Sequence, residues 1–291
     1  MAFPTSCLAH LPVHGVWKTH PIGHDLANST WRIENGEHQY IVKQYAYDAA
    51  FGRQAGDTIQ LDFLLAELGV APQVVYADST TGVVVQELLT GDPIATIFDP
   101  IQRAEQLAEA QLFVHQLTVN VTPWSLSERV QAYCNALEGL QPGRGRNARS
   151  DCESYAGLFA AWEHGPSVFC HHDLSAEHVF FRPELKIIDW EYAGYGHPAF
   201  DLASTIVIND LYDDEIDTFL EIYNQKAEHM IDREELRDWI RLVALINRIW
   251  FQLQEALTAA ELAQEQATQA AQSLSQASTP KTASGKNTTT A

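Results

Sequence analysis

The tightest constraint in this chain lies between two acids, Asp173 and Asp189. Val179-Phe180-Phe181 and Leu185-Lys186-Ile187-Ile188 are short apolar runs separated by Arg182-Pro183-Glu184. Proline presets a turn, and apolar runs on either side of one read as paired strands, so the stretch predicts a hairpin. A hairpin sets its ends side by side and brings the two acids to one mouth, although sixteen residues separate them. Such a pair suits phosphoryl transfer, in which one acid orients the incoming hydroxyl and another holds a divalent cation on the nucleotide phosphates.

The residues around the acids sharpen this. Protein kinases carry H-x-D-x-x-x-x-N, followed by the acid of D-F-G. His171, Asp173 and Asp189 fit those places in Cys170-His171-His172-Asp173-Leu174-Ser175-Ala176-Glu177-His178 and Ile187-Ile188-Asp189-Trp190-Glu191, but His178 stands where the Asn belongs. The block Asp189-Trp190-Glu191-Tyr192-Ala193-Gly194-Tyr195-Gly196-His197-Pro198-Ala199-Phe200-Asp201-Leu202-Ala203 closely resembles the one after the catalytic loop in aminoglycoside phosphotransferases and in choline and thiamine kinases. The resemblance spans roughly residues 15–255 and is strongest over 168–204.

That resemblance implies an α+β, two-lobed protein-kinase-like fold that phosphorylates a small-molecule hydroxyl with ATP. Its small N-terminal lobe is mainly β and its larger C-terminal lobe mainly helical. Asp173 would orient and deprotonate the hydroxyl, Asp189 would bind Mg²⁺, and Asp201 would support the loop. His171 would brace the loop, and Lys43, alone in Ile41-Val42-Lys43-Gln44-Tyr45, would hold the α/β-phosphates. Asn28, in the loop Ile22–Ser29, resembles a phosphate-reaching residue. Asp57 is the first candidate for the helix acid that pairs with Lys43, with Asp62 and Glu67 as competitors. Gln86-Glu87-Leu88-Leu89-Thr90-Gly91 resembles the hinge between lobes, which places Gln86 and Leu88 beside the nucleotide.

His178 leaves three arrangements open. Mg²⁺ is hard and prefers oxygen, so one ion could rest on Asp189 alone, with His178 a spectator. His178 could instead ligate a Mn²⁺-tolerant site, or Glu177 or Glu191 could substitute. The one-ion arrangement needs the fewest coincidences. A chain that binds nucleotide or metabolite but has lost transfer is the alternative to an active kinase. Trp250 and the Trp190-Glu191-Tyr192 turn are the candidate wall for an acceptor, because aromatic faces attract cations. Glu191 could face either that acceptor or a second ion. Thiamine or choline is the leading acceptor, and an aminoglycoside the other option.

Composition agrees. The net charge is −20, and residues 210–238 hold eleven acids against three bases. This pattern suits a solvated helical face, or a mouth that draws in a cation, and disfavours a nucleic-acid partner. No eighteen-residue apolar run and no basic, apolar leader occur, so no membrane span or secretory signal is expected. Cys7, Cys134, Cys152 and Cys170 lack C-x-x-C spacing and fit free thiols in a cytoplasmic protein.

The organisation reads as a nucleotide-binding lobe over 1–90, a catalytic and acceptor-binding lobe over 91–263, and a low-complexity tail over 264–291 expected to be disordered. Residues 256–274, rich in Ala and Gln, could extend the preceding helix. In the first lobe, strands over 29–33 and 40–45 flank Asn35-Gly36, a strong hairpin signal. A second pair covers 74–77 and 83–89. The helix between them, roughly 56–68, is expected to bury Ile59, Phe63 and Leu64. In the second lobe, helices are predicted over 100–117, 126–140 and 152–164, with 142–146 a loop. His115 reads as a structural core histidine.

Overall fold

The computed structural model describes residues 2–24, 28–45, 49–52, 54–181 and 183–277. Five antiparallel strands open the fold: β1 (Lys18–His24), β2 (Asn28–Asn35), β3 (His38–Tyr45), β4 (Val74–Asp78) and β5 (Val83–Glu87), in the order β1-β2-β3-β5-β4. Asn35 pairs with His38, so Gly36 leads the two-residue turn between β2 and β3 with φ +61°. That left-handed backbone is the one glycine adopts without a Cβ penalty.

The two faces of β3 serve different ends. Val42 points to a cluster with Cys7, Leu11, Trp17, Trp31, Ile33, Val83 and Val85. Lys43 and Tyr45, on the opposite face by strand alternation, turn toward α1 (Ala55–Glu67) and the cleft. α1 is rotated from the predicted face: Ile59, Leu61, Asp62 and Leu65 are buried, whereas Phe63 is 43% exposed. The helix turns an acid inward, so its apolar pattern alone misleads.

The helical part comprises α2 (Pro100–His115), α3 (Leu126–Leu140), α4 (Pro142–Glu153), α5 (Ala156–His164), α6 (Pro198–Ile208), α7 (Asp213–Asn224) and α8 (Arg233–Ala277). Two short strands, β6 (Val168–Cys170) and β9 (Gly194–Gly196), pair with each other. Between them lies the predicted hairpin, β7 (Val179–Phe180) with β8 (Lys186–Ile187); Arg182 of its turn falls outside the described residues. One apolar core runs from Phe51 to Ala256 and includes Leu61 and Leu65 of α1, so both parts share their packing.

One expectation changes. The segment over 142–146 is the start of α4, because Gly145 lets α4 press against α3: a Cβ there would meet the Glu138 Cα at 2.3 Å. Arg149 then reaches Glu138 at 2.9 Å and Asn135 at 2.8 Å. Residues 256–274 do extend the preceding helix, as α8 continues to Ala277. Leu236, Trp239, Leu242, Ile249 and Leu253 anchor its first turns in the core, while side chains over 258–270 are exposed. Residues 278–291 lie outside the described residues. Among the described residues, no helix is long and apolar enough to cross a membrane.

Candidate active site

The β7–β8 hairpin does what its spacing predicts and returns Asp189 to the side of Asp173. His171 joins the two. Its Nε2–H donates to the Ile188 carbonyl at 3.0 Å, and its Nδ1 accepts from the Asp173 amide at 3.3 Å. The ring is fully buried and packs on Trp190 at 4.5 Å between centroids. Burial, then the charge of His178, push its pKa down to about 4, which keeps it neutral and able to donate and accept at once.

Behind the loop stands Asp201, fully buried on α6. Its carboxylate accepts from the His171 amide (3.0 Å), the His172 amide (2.7 Å), Gln111 (2.6 Å) and His115 (2.9 Å). Burial would raise its pKa, but the His115 hydrogen bond and nearby histidines hold it well below the usual carboxylate range. Asn209 completes the clamp, donating to the Leu174 carbonyl and accepting from the Ala176 amide. The His115 ring, bonded to Tyr223 as well, has a structural place here.

Across the cleft, Lys43 lies 2.5 Å from Asp189. Burial disfavours both charges, but their attraction prevails: the Lys43 pKa is raised, and Asp189 stays well below the usual carboxylate range. The helix acid beside this pair is Asp62, not Asp57. Asp62 is 4% exposed, accepts from the Tyr45 hydroxyl at 2.9 Å, and feels the charge of Lys43. Burial pushes its pKa up to about 6 against the pull of Lys43 and hydrogen bonds from Tyr45 and Gln86. Asp57 sits in the exposed first turn of α1, five residues earlier and on another face. Gln86 turns its side chain to Asp62, and Leu88 follows β5, half-buried. Asn28 donates to Glu191, linking the start of β2 to the turn after Asp189. Asp25, Leu26 and Ala27 of the expected phosphate loop lie outside the described residues.

Ligand atoms of Asp173, His178 and Asp189 all lie within 4.8 Å of one another. His178 stands beside both acids. Its Nδ1 is 3.0 Å from the Asp173 carbonyl, which can only accept, so Nδ1 carries the hydrogen. In the neutral ring Nε2 is then bare, and it faces Asp189 Oδ2 at 3.4 Å. Two lone-pair-bearing atoms in that relation could hold a cation, and an imidazole beside a carboxylate suits Mn²⁺ better than Mg²⁺, which prefers oxygen. Glu177 is exposed and outside this group.

Asp173 also lines a cavity of about 340 Å³ between α3, α6 and α8. Its walls include Trp124, Tyr133, Tyr192, Phe200 and Trp250, with Arg129 stacked 3.5 Å over the Trp124 ring. Trp250 lines this cavity. Trp190 does not: it is 1% exposed, and it stacks on His171 and Phe169 while donating to the Ile187 carbonyl at 2.8 Å. A buried apolar ring beside the loop cannot also form an open wall. Trp124, Arg129 and His172 were not singled out by sequence, because α3 and the segment before it carry no motif. His172 had the one readable signal, its place inside H-x-D.

A second cavity of about 300 Å³ adjoins the first across Trp124 and Arg129, with Asp57 and Glu191 among its walls.

A mainly β lobe over a helical one, with a lysine facing a clamped pair of loop acids, defines a kinase-like phosphotransferase. The chain belongs to the phosphotransferase enzyme family, whose model matches residues 18–239. It is a small-molecule kinase. The fold is similar to that of choline kinase LicA from Streptococcus pneumoniae (21% identity, TM-score 0.66, covering 82% of this chain and 85% of that one). It is also similar to Plasmodium vivax ethanolamine kinase (16%, 0.64, 84% and 78%) and to macrolide 2'-phosphotransferase MphH from Brachybacterium faecium (18%, 0.60, 90% and 94%). No curated protein matches the sequence.

Proposed function

We propose that the chain transfers the γ-phosphoryl group of ATP to the hydroxyl of a small alcohol lodged in the cavity between Trp124 and Trp250. The observation that carries this reading is the double position of Asp173. It lines that cavity and lies within 4.8 Å, ligand atom to ligand atom, of His178 and Asp189. An alcohol in the cavity would meet Asp173 as orienting group and proton acceptor. Asp189 and His178 would hold Mg²⁺ or Mn²⁺, which neutralises charge on the phosphates. Lys43, turned into the cleft on β3, would take the α/β-phosphates. His171 keeps the two acids in register through the Ile188 carbonyl and the Asp173 amide. The presence together of Asp173, Asp189 and Lys43 favours an active enzyme over a binding module that has lost transfer.

The acids of the second cavity support a narrower reading, a cationic alcohol such as choline or thiamine whose charged head rests against Glu191 and Asp57. An aminoglycoside would use the same acids. Arg129 speaks against placing a quaternary ammonium in the first cavity, since it already covers one face of Trp124. Steady-state assays with ATP, either metal, and a panel of amino alcohols, diols, thiamine and aminoglycosides test both readings. Turnover on none of them, with ATP binding retained, would point to the binding module.

A further inference from the structure

Two of the four cysteines meet. α3 and α4 fold back on one another from the corner at Gln141, and Gly145 lets their backbones approach more closely than a Cβ would permit. Contacts of Arg149 with Glu138 and Asn135 fix the register of the pair. Residues three or four apart share a helix face, so Cys134 lies one turn from Glu138 and Cys152 one turn beyond Arg149. The two thiols therefore face each other, and they share a hydrogen bond in which the Cys152 S–H donates to the Cys134 sulfur. Joining two cysteines covalently requires closely set backbones with side chains aimed at one another. The packing around Gly145 supplies both.

The pair differs from the other two cysteines. Cys7 and Cys170 are fully buried, and burial pushes the Cys7 thiol up to about 11 and raises that of Cys170 as well. The Cys152 hydrogen bond, aided by the charge of Arg149, holds Cys134 below the ordinary thiol value against the effect of burial. Thiolates rather than thiols attack electrophiles, and a nearby arginine favours them. Cys134 itself is 2% exposed, but Cys152 is partly exposed on α4, which opens the pair to small reagents. The helix that carries Cys134 also supplies Leu126, Arg129, Val130 and Tyr133 to the cavity beside Asp173.

We propose that Cys134 and Cys152 form a redox-active dithiol, a modification site at which a hydroperoxide produces an intrachain disulfide that staples α3 to α4. In the first step the peroxide O–O bond breaks: one sulfur takes an oxygen to become a sulfenic acid, and water or an alcohol leaves. The neighbouring thiol then displaces that oxygen as water and the S–S bond forms. Two electrons pass from the thiol pair to the peroxide, and both thiol hydrogens end in the released products. A dithiol reductant reverses the reaction by exchange. The bridge would hold one wall of the cavity against α4 without touching Asp173 or Asp189.

The test treats the full-length protein with hydrogen peroxide under native conditions, then denatures and alkylates it. Two of the four thiols should be lost, with a mass decrease of two hydrogens. Trypsin cuts after Arg144, Arg146 and Arg149, so the two cysteines fall on separate peptides that only a disulfide can link. The oxidised protein should melt at least ~4 °C higher, because closing a loop of this length constrains the unfolded chain. Dithiothreitol should restore all four thiols and the original Tm. Cys152→Ser, at a partly exposed position, should show neither the linked peptides nor the rise in Tm. Four unreacted thiols, sulfinic acid on Cys152 without linkage, or earlier oxidation of Cys7 or Cys170 would each overturn the proposal. Linked peptides with an unchanged or lower Tm would overturn the stapling.

Discussion

The two sides of the catalytic loop are built differently. Behind it, Asp201 accepts four hydrogen bonds and Asn209 pins two further loop groups, in a buried network closed on itself. In front of it, the cavity beside Asp173 is lined by aromatic rings, and His172 and the Trp250 indole have polar atoms without partners among the described residues. A saturated network fixes a backbone and does not respond to ligands. Unmatched polar groups buried in an apolar wall carry a cost. One side is hydrogen-bonded throughout, and the other leaves an apolar cavity beside Asp173.

The largest effect should come from Asp173, which belongs to both sides. Asp173→Asn should lower kcat by at least ~10² through lost orientation and proton transfer, with the Kd for ATP nearly unchanged. Near-normal turnover in this variant would remove Asp173 from the chemistry.

Asp201→Asn attacks the closed side. The amide replaces an acceptor with a donor against four incoming N–H groups, and hydrogen bonds to charged groups are each worth about 1.5–3 kcal/mol. Denaturant unfolding should show a loss of about 3 kcal/mol together with reduced kcat for every acceptor alike. A variant as stable as wild type but altered in acceptor preference would erase the division drawn above.

His178→Asn should act on the metal alone. Trading imidazole for a carboxamide oxygen should shift the Mn²⁺/Mg²⁺ activity ratio toward Mg²⁺ by about tenfold, an order-of-magnitude expectation from ligand hardness. An unchanged ratio across a metal titration would make His178 a spectator.

The smallest effect is on the pH dependence of stability. His171, His172 and His197 have pKa values lowered to about 4, chiefly by burial. Their contribution is present above the unfolded histidine value of about 6.5 and is lost as pH falls through 4. Asp62, raised to about 6, works in the opposite sense, because it is protonated in the native state while ionised in the unfolded chain. Near pH 5 the balance is an uptake of about two protons on unfolding. Calorimetry in buffers of different ionisation enthalpy measures it directly. His172→Asn should remove about one of the two, and no change in that variant would mean His172 titrates as an exposed group.

Much of the site was legible in the chain. The apolar runs around Arg182-Pro183-Glu184 define a hairpin whatever surrounds them, because turn and strand signals act over a few residues. His171, Asp173, Asp189 and Lys43 stand where local patterns placed them, and the Asn35-Gly36 turn formed as its sequence dictates. Contacts distant in sequence decided the rest. α1 turns Asp62 rather than Asp57 toward Lys43, since Leu61 and Leu65, not Phe63, pack into the shared core. Gly145, read alone, looks like a loop residue, and only the close approach of α3 makes it part of α4. Trp190 and Trp124 are the same residue type; packing put one inside the loop's support and the other on the cavity wall. Short-range chemistry therefore determined the pattern of acids, histidine and lysine, and long-range packing determined which side chains line the cavity beside Asp173.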